Sequence, residues 1–284
     1  MEELEVKKDF TNIYIQKSPN AYLKEMKRLD YRIPNKTKPL YLSIAKQLYK
    51  KLSKKKINII DIGSSYGINS ALMKYNLTMS DLDDFFLEQE PSIEQSKQFF
   101  ENLSSDDTLD FYQIDISQPA LKFSENTGLC KKGICVNLES GNLPIQDLPQ
   151  ADMIIATGCI GYIGYKAFSN LFELIKKQQS ESNLESSEKG TVFAFSVLRI
   201  FDMEKIQKVF DHYGYSLVKS DIKPIRQRRF SDSEEKYKTI SLLHGKGIDT
   251  KWLEDDGHFY ADFYIASPKI LETNLVSMSE KLKS

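Results

Sequence analysis

The residues best placed for chemistry are the run Asp61-Ile62-Gly63-Ser64-Ser65-Tyr66-Gly67. It holds an acid, two serines and two glycines within seven positions. A glycine lacks the Cβ that would keep a ligand away from the backbone. A turn of this kind between a strand and a helix is therefore a candidate cradle for a nucleotide-like ligand. The spacing G-x-x-x-G departs from the G-x-G-x-x-G of dinucleotide folds. Tyr66 fills the turn and no third glycine follows, so a ligand without phosphates fits better. Other chemical groups are scattered. His258 could act as a base, Tyr162 could line a substrate, and Arg199 and Arg229 could bind one. Each also has a plain reading: His258 as an exposed loop histidine, Tyr162 as packing, the Arg226-to-Arg229 run as a solvated strand edge. Cys159 has no base beside it and reads as a small buried residue. Cys130 and Cys135 are too few for zinc, and no metal site is expected.

These groups need a frame, and hydrophobic periodicity supplies one. Ile57–Ile62 is a β-branched run ending at Gly63, followed by Ile68, Ala71, Leu72 and Tyr75 at helical spacing. Further strand runs are Phe111–Ile116, Gly133–Leu138, Ala151–Thr157 and Thr191–Val197, with amphipathic helices between them. After the second, Ser117 caps a helix with Pro119 in its first turn and Gly128 past its end. Strand alternating with helix predicts a parallel sheet covered on both faces, with the ligand beyond the carboxyl ends of the strands. The Ser/Glu/Gln stretch 178–189 reads as a loop. Two segments interrupt the rhythm: Thr78–Thr108, read as two short helices, and Ile222–Phe259, with three arginines and the only tryptophan, Trp252.

Composition narrows the classes. With 39 basic against 40 acidic residues, the chain has no global cation surplus for phosphate backbones. No apolar run reaches the ~20 residues of a membrane span, and the acidic N-terminus does not read as a signal peptide. Three cysteines in a 284-residue chain read as reduced thiols, which implies a cytoplasmic setting.

With these residues in view, the chain resembles the class I S-adenosylmethionine-dependent methyltransferases. Ile59–Gly67 looks like their first motif, and Ile114–Leu121 like their second strand and following helix. The resemblance covers Ile57 to Ser267. It implies a Rossmann-like three-layer α/β sandwich, with a seven-stranded, mostly parallel sheet whose last strand, Asp262–Ser267, is antiparallel. N-terminal helices (1–52) would cap a domain at 53–270 carrying the two insertions, and 271–284 would be a tail. It also implies S-adenosylmethionine as cofactor, bound by Asp61, Gly63, Ser64, Ser65, Gly67, Asp115, Ile116, Asn137, Leu138 and Gly158. In the family the acid ending the second strand holds both ribose hydroxyls, and Asp115 matches it. A carboxylate can accept two charge-assisted bonds from a vicinal diol. Gly158–Tyr162 matches the motif facing methyl donor and substrate. Asp61 either contacts the donor's amino group or braces the turn, and Asn137 is either an adenine contact or a plain loop residue.

The sequence departs from the family in two places. Asp115 lies more than twice as far beyond Gly67 as the roughly 20 residues usual for such a unit. The Thr78–Thr108 insertion accounts for the excess. The fourth motif has neither an Asn/Asp-Pro-Pro-aromatic signature nor a Pro-Cys nucleophile, leaving the acceptor open. The implied activity is methyl transfer to a small-molecule or peptide acceptor, with Tyr162 and His258 as catalytic candidates and Arg199 and Arg229 on the substrate. Neither nucleic acid nor membrane is expected as a partner. The alternative is an inactive methyltransferase fold serving as a binding or scaffold protein. The missing third glycine argues against an NAD-dependent oxidoreductase.

Overall fold

A computed structural model describes residues 11–140, 148–181 and 190–269. The expected tail 271–284 and the loop portion 182–189 lie outside the described residues. Strands β1 (Ile57–Ile62), β2 (Leu109–Asp115), β3 (Lys132–Cys135), β4 (Met153–Ala156) and β5 (Val192–Leu198) pair in parallel in the order β3-β2-β1-β4-β5. Every residue of β4 and β5 is buried, which is why their sequences, Ser196 aside, are apolar throughout rather than alternating. The crossover helices are α4 (Ile68–Lys74), α7 (Gln118–Asn126), α8 (Tyr165–Glu181) and α9 (Glu204–His212). As expected, Ser117 caps α7 by accepting the N–H of Ala120, and Gly128 follows its end in the left-handed conformation, the common way to close a helix.

The last strand, β8 (His258–Pro268), runs antiparallel to β5 and is longer than the sequence pattern suggests. Its other edge carries two strands end to end: β6 (Tyr215–Lys219) pairs with 264–268, and β7 (Ile225–Arg229) with 258–261. The expected seven positions across the sheet are thus filled by eight strands. Pro224 explains the break, since it has no N–H to give the ladder. The segment read as a second insertion therefore begins as sheet, then forms α10 (Ser233–Gly245) and a short 3₁₀ turn at Glu254–Asp256. Because β5 ends opposite Ala261, β7 stands beyond the end of β5. That is the rim where a parallel sheet binds ligands.

Helix α3 (Ile33–Leu52) covers one face of the sheet, burying Tyr41, Ile44 and Leu48 against Ile59, Met153, Ala194 and Phe263. Helices α8 and α9 cover the other with Phe168, Phe172 and Phe210 around Phe193. The first insertion forms the two expected helices, α5 (Met79–Gln89) and α6 (Ile93–Glu101). Each is opened by a capping box. They pack with α1 (Thr11–Tyr14) and α2 (Asn20–Arg28) in a third cluster around Leu23, Phe86 and Phe123. The chain joining α2 to α3 also lies along β7: Arg229 donates its backbone N–H to Leu29, and Arg32 donates to Gln227. Among the described residues no helix is long and apolar enough to cross a membrane.

Candidate functional site

The turn after β1 lies where β2 and β4 diverge on either side of β1, the switch point of the sheet. Three of its residues are left-handed: Gly63 at φ +63°, Ser65 at +51° and Gly67 at +76°. The glycines are required for a reason the sequence did not suggest. A Cβ on Gly63 would lie 2.6 Å from the Cβ of Cys159, and one on Gly67 would lie 2.5 Å from Ser124 Oγ and 2.8 Å from Gln113 Nε2. Both close approaches are made by protein atoms, so packing alone demands glycine here. Cys159 Sγ donates to the carbonyl of Ile62 at 3.2 Å, which closes the β4 loop onto the turn.

Asp115 ends β2 beside this turn. One carboxylate oxygen accepts the backbone N–H of Ser65 at 2.8 Å, and the other that of Ser117 at 2.8 Å. Burial raises its pKa, and the N–H groups of Ser117, Ser65 and Ile116 pull it back down. The carboxylate still keeps acceptor capacity for a ligand. Next to it, Ile116 is 75% exposed, an apolar side chain left largely in solvent. The hydroxyls of Ser64 and Ser65 are buried without a hydrogen-bond partner among the described residues. Unpaired buried hydroxyls at a turn are what a polar ligand would complete.

Asp61 faces away from solvent altogether. Asn69 Nδ2 lies 3.1 Å from both of its oxygens. Burial pushes its carboxyl up to about 8, against the Asn69 hydrogen bond and with help from Asp115. Asp61 and Asn69 thus tie the end of β1 to the first turn of α4.

The N-terminal segment roofs the turn. Helix α1 and the residues just after it are latched at two places. Ser117 Oγ donates to the carbonyl of Tyr14. The Tyr66 hydroxyl sits 3.0 and 2.9 Å from the carbonyls of Ile13 and Gln16. Beyond the turn, phenols gather. Tyr41 donates to the carbonyl of Ala156 at 3.0 Å, and its oxygen lies 2.8 Å from Thr157 Oγ1. The Tyr31 hydroxyl stands against Gly158, where a Cβ would meet it at 2.5 Å. Burial holds the Tyr14 phenol well above its usual range, and neighbouring Tyr162, Asp115 and Cys159 raise it further. Burial likewise raises Tyr31, with Tyr14 and Cys159 adding to it. These rings stay neutral at physiological pH.

The other sequence candidates are placed as follows. Tyr162 is half exposed on the loop after β4, near enough to Tyr14 to perturb it. Leu138 is buried in the core layer beneath α8, and exposed Asn137 accepts the N–H of Glu139 at 2.9 Å in a local turn. His258 starts β8 on the rim; its Nδ1 is 2.8 Å from Asp256 and its Nε2 4.0 Å from Asp30. Asp30 also meets Arg32 and Arg226, so His258 belongs to an ionic cluster joining cap and sheet. The Arg199 guanidinium is committed to Glu254 at 2.6 Å and the carbonyl of Asp249 at 2.8 Å. It lines a separate recess of about 510 Å³ with Lys246, Asp262 and Tyr264. Arg229 is exposed on β7. The arginine cluster's buried member is instead Arg228, paired through both nitrogens with Glu235 at 2.9 and 2.7 Å and stacked on Phe259. Tyr14, Tyr31 and Gln227 are the site neighbours that sequence reasoning missed. No spacing rule links residues 14–31 to the ends of β2 and β4.

No family model and no curated protein matches the chain. Solved structures do. The plantazolicin methyltransferase BamL, in complex with a triazolic desmethylPZN analogue and SAH, is 12% identical with a TM-score of 0.49, over 94% of this chain and 96% of that one. Magnesium protoporphyrin IX methyltransferase from Synechocystis PCC 6803, with bound SAM, is 11% identical over 80% and 77% with a TM-score of 0.38. A TehB-like SAM-dependent methyltransferase from Corynebacterium glutamicum is 10% identical over 78% and 85%, again at 0.38. By its strand order, its antiparallel last strand and a glycine turn at the switch point, the chain has a Rossmann-like three-layer α/β fold.

Proposed function

We propose that this chain is a class I S-adenosylmethionine-dependent methyltransferase acting on a small-molecule or peptide acceptor. The observation that carries the reading is Asp115, held by both oxygens at the switch point with acceptor capacity left over, beside an exposed Ile116. A ribose diol on the carboxylate and a nucleobase over the isoleucine would satisfy both. The orphaned hydroxyls of Ser64 and Ser65 suit the polar amino-acid end of the same ligand. When bound, S-adenosylmethionine supplies a methyl group on a sulfonium, open to in-line displacement. The protein's task is then chiefly alignment and exclusion of water. Asp115 and the turn fix the nucleoside, and the latched N-terminal segment shields it. Tyr31, whose hydroxyl stands against Gly158, would form with the neighbouring Tyr14 and Tyr162 the wall beyond it. Neutral aromatic rings near the site suit a sulfonium.

Tyr162 is the stronger catalytic candidate, since it lies with Tyr14 on this wall, whereas His258 is engaged by Asp256. The test is a methylation assay with isotope-labelled S-adenosylmethionine against a cell-extract fraction of small molecules and peptides. Labelled product that disappears with Asp115→Asn supports the enzyme; cofactor binding without product under any fraction favours the scaffold reading.

A further inference from the structure

Gln227 lies on β7 beside Gly158. It is the extra residue of a β-bulge: Arg226 pairs with Tyr260 and Arg228 with Phe259, leaving Gln227 opposite nothing. Bulges re-aim side chains, often beside active sites. Here the bulge leaves Gln227 and Arg228 both buried, where alternation would send one outward. Arg228 is held by Glu235, but no hydrogen bond among the described residues holds the Gln227 carboxamide oxygen. The residue is 3% exposed, so that oxygen is cut off from solvent as well. Its Nε2 would lie 3.6 Å from a Cβ on Gly158, beside the Tyr31 hydroxyl. Its backbone is pinned, because its carbonyl accepts the N–H of Arg32 at 3.0 Å. A buried amide oxygen left unpaired destabilises the fold unless something pairs with it.

We infer that Gln227 recognises the methyl acceptor, its Oε1 accepting a hydrogen bond from an N–H or O–H on the group that attacks the methyl. This rests on the methyl-transfer reading above. A ligand held at Asp115, on the β2 side of the turn, would reach the acceptor on the β4 side, where Gln227 stands beside Gly158. The acceptor class is then a nucleophile that carries its own proton, an amine or a hydroxyl, flanked by an aromatic or apolar body against the tyrosines.

The test uses the full chain, nitrogen-15 labelled and loaded with S-adenosylhomocysteine. Benzylamine and benzyl alcohol are titrated separately while the Gln227 carboxamide resonances, identified by their loss in Gln227→Met, are followed. A saturable shift with either probe is expected, and the probe that gives it tells amine from hydroxyl. Gln227→Met should weaken that probe at least about tenfold while leaving S-adenosylhomocysteine affinity within twofold. Gln227→Glu, which still accepts, should retain it. No shift with either probe, or unchanged probe affinity in Gln227→Met, overturns the inference. Failure of S-adenosylhomocysteine to bind the unmodified protein instead overturns the methyl-transfer reading, and this inference with it.

Discussion

The carboxylate of Asp115 and the backbone N–H of Ser65 meet at 2.8 Å across 50 residues of chain. The end of β2 therefore holds the turn after β1 in shape. Ser65 presents that N–H only because its backbone is left-handed, at φ +51°. That region disfavours any residue with a side chain.

Glycine at this position should relieve the strain while keeping the bond. Ser65→Gly is expected to leave stability unchanged or raise it by up to about 1 kcal/mol, since the relief is partly offset by the freer unfolded chain. Ser65→Val, β-branched and left-handed, should lose at least about 2 kcal/mol. Chemical denaturation of both variants reads the difference. A Ser65→Gly protein markedly less stable than the parent contradicts this view of the turn.

Gly63 and Cys159 should be energetically coupled. Gly63→Ala drives a Cβ into the Cys159 side chain. Such overpacking is expected to cost about 2 kcal/mol or more. Combining it with Cys159→Gly removes both clashing atoms and should recover about half of that loss, the remainder being the positive φ. A double-mutant cycle showing simple additivity argues against the contact.

Asp61 should make the fold less stable as pH rises. Its carboxyl is pushed by burial to about 8 from an ordinary 3.8, so the folded chain keeps a proton that the unfolded chain releases. The stabilisation is complete below about pH 4 and is lost progressively as pH rises toward 8. Asp61→Asn should flatten this slope, measured as the thermal midpoint between pH 5 and pH 8. A shallower slope of the same sign should remain from Glu254, which burial pushes up to about 7. An Asp61→Asn protein with the parent's full slope refutes the assignment.

The Tyr66 hydroxyl should latch the N-terminal roof. Tyr66→Phe removes its bonds to Ile13 and Gln16. The loss is expected to cost about 1 kcal/mol. Hydrogen exchange should quicken in residues 11–18 and stay unchanged in β1 and β4. Uniform quickening across the sheet means that Tyr66 serves the core instead.

Much of this was legible in residue order. The apolar strands and the cap at Ser117 are local signals; the pairing of the glycine turn with Asp115 came from the family resemblance, and the structure places Asp115 against that turn. What could not be read depends on contacts between distant segments. Tyr31 reaches Gly158 across more than a hundred residues, and Gln227 turns inward only because of a bulge set by its pairing with β8. Gly63 and Gly67 were legible as necessary glycines, but the atoms that require them, in Cys159, Ser124 and Gln113, belong to other elements.

The most direct test is calorimetric titration of S-adenosylhomocysteine into the wild-type chain and Asp115→Asn. Removing the charge from two diol hydrogen bonds should weaken binding by about 2 kcal/mol, roughly 30-fold. Micromolar binding to the wild type, with that loss in the variant, is the result expected of a cofactor held by Asp115. Absence of binding to the wild type, or equal affinity in both, contradicts it.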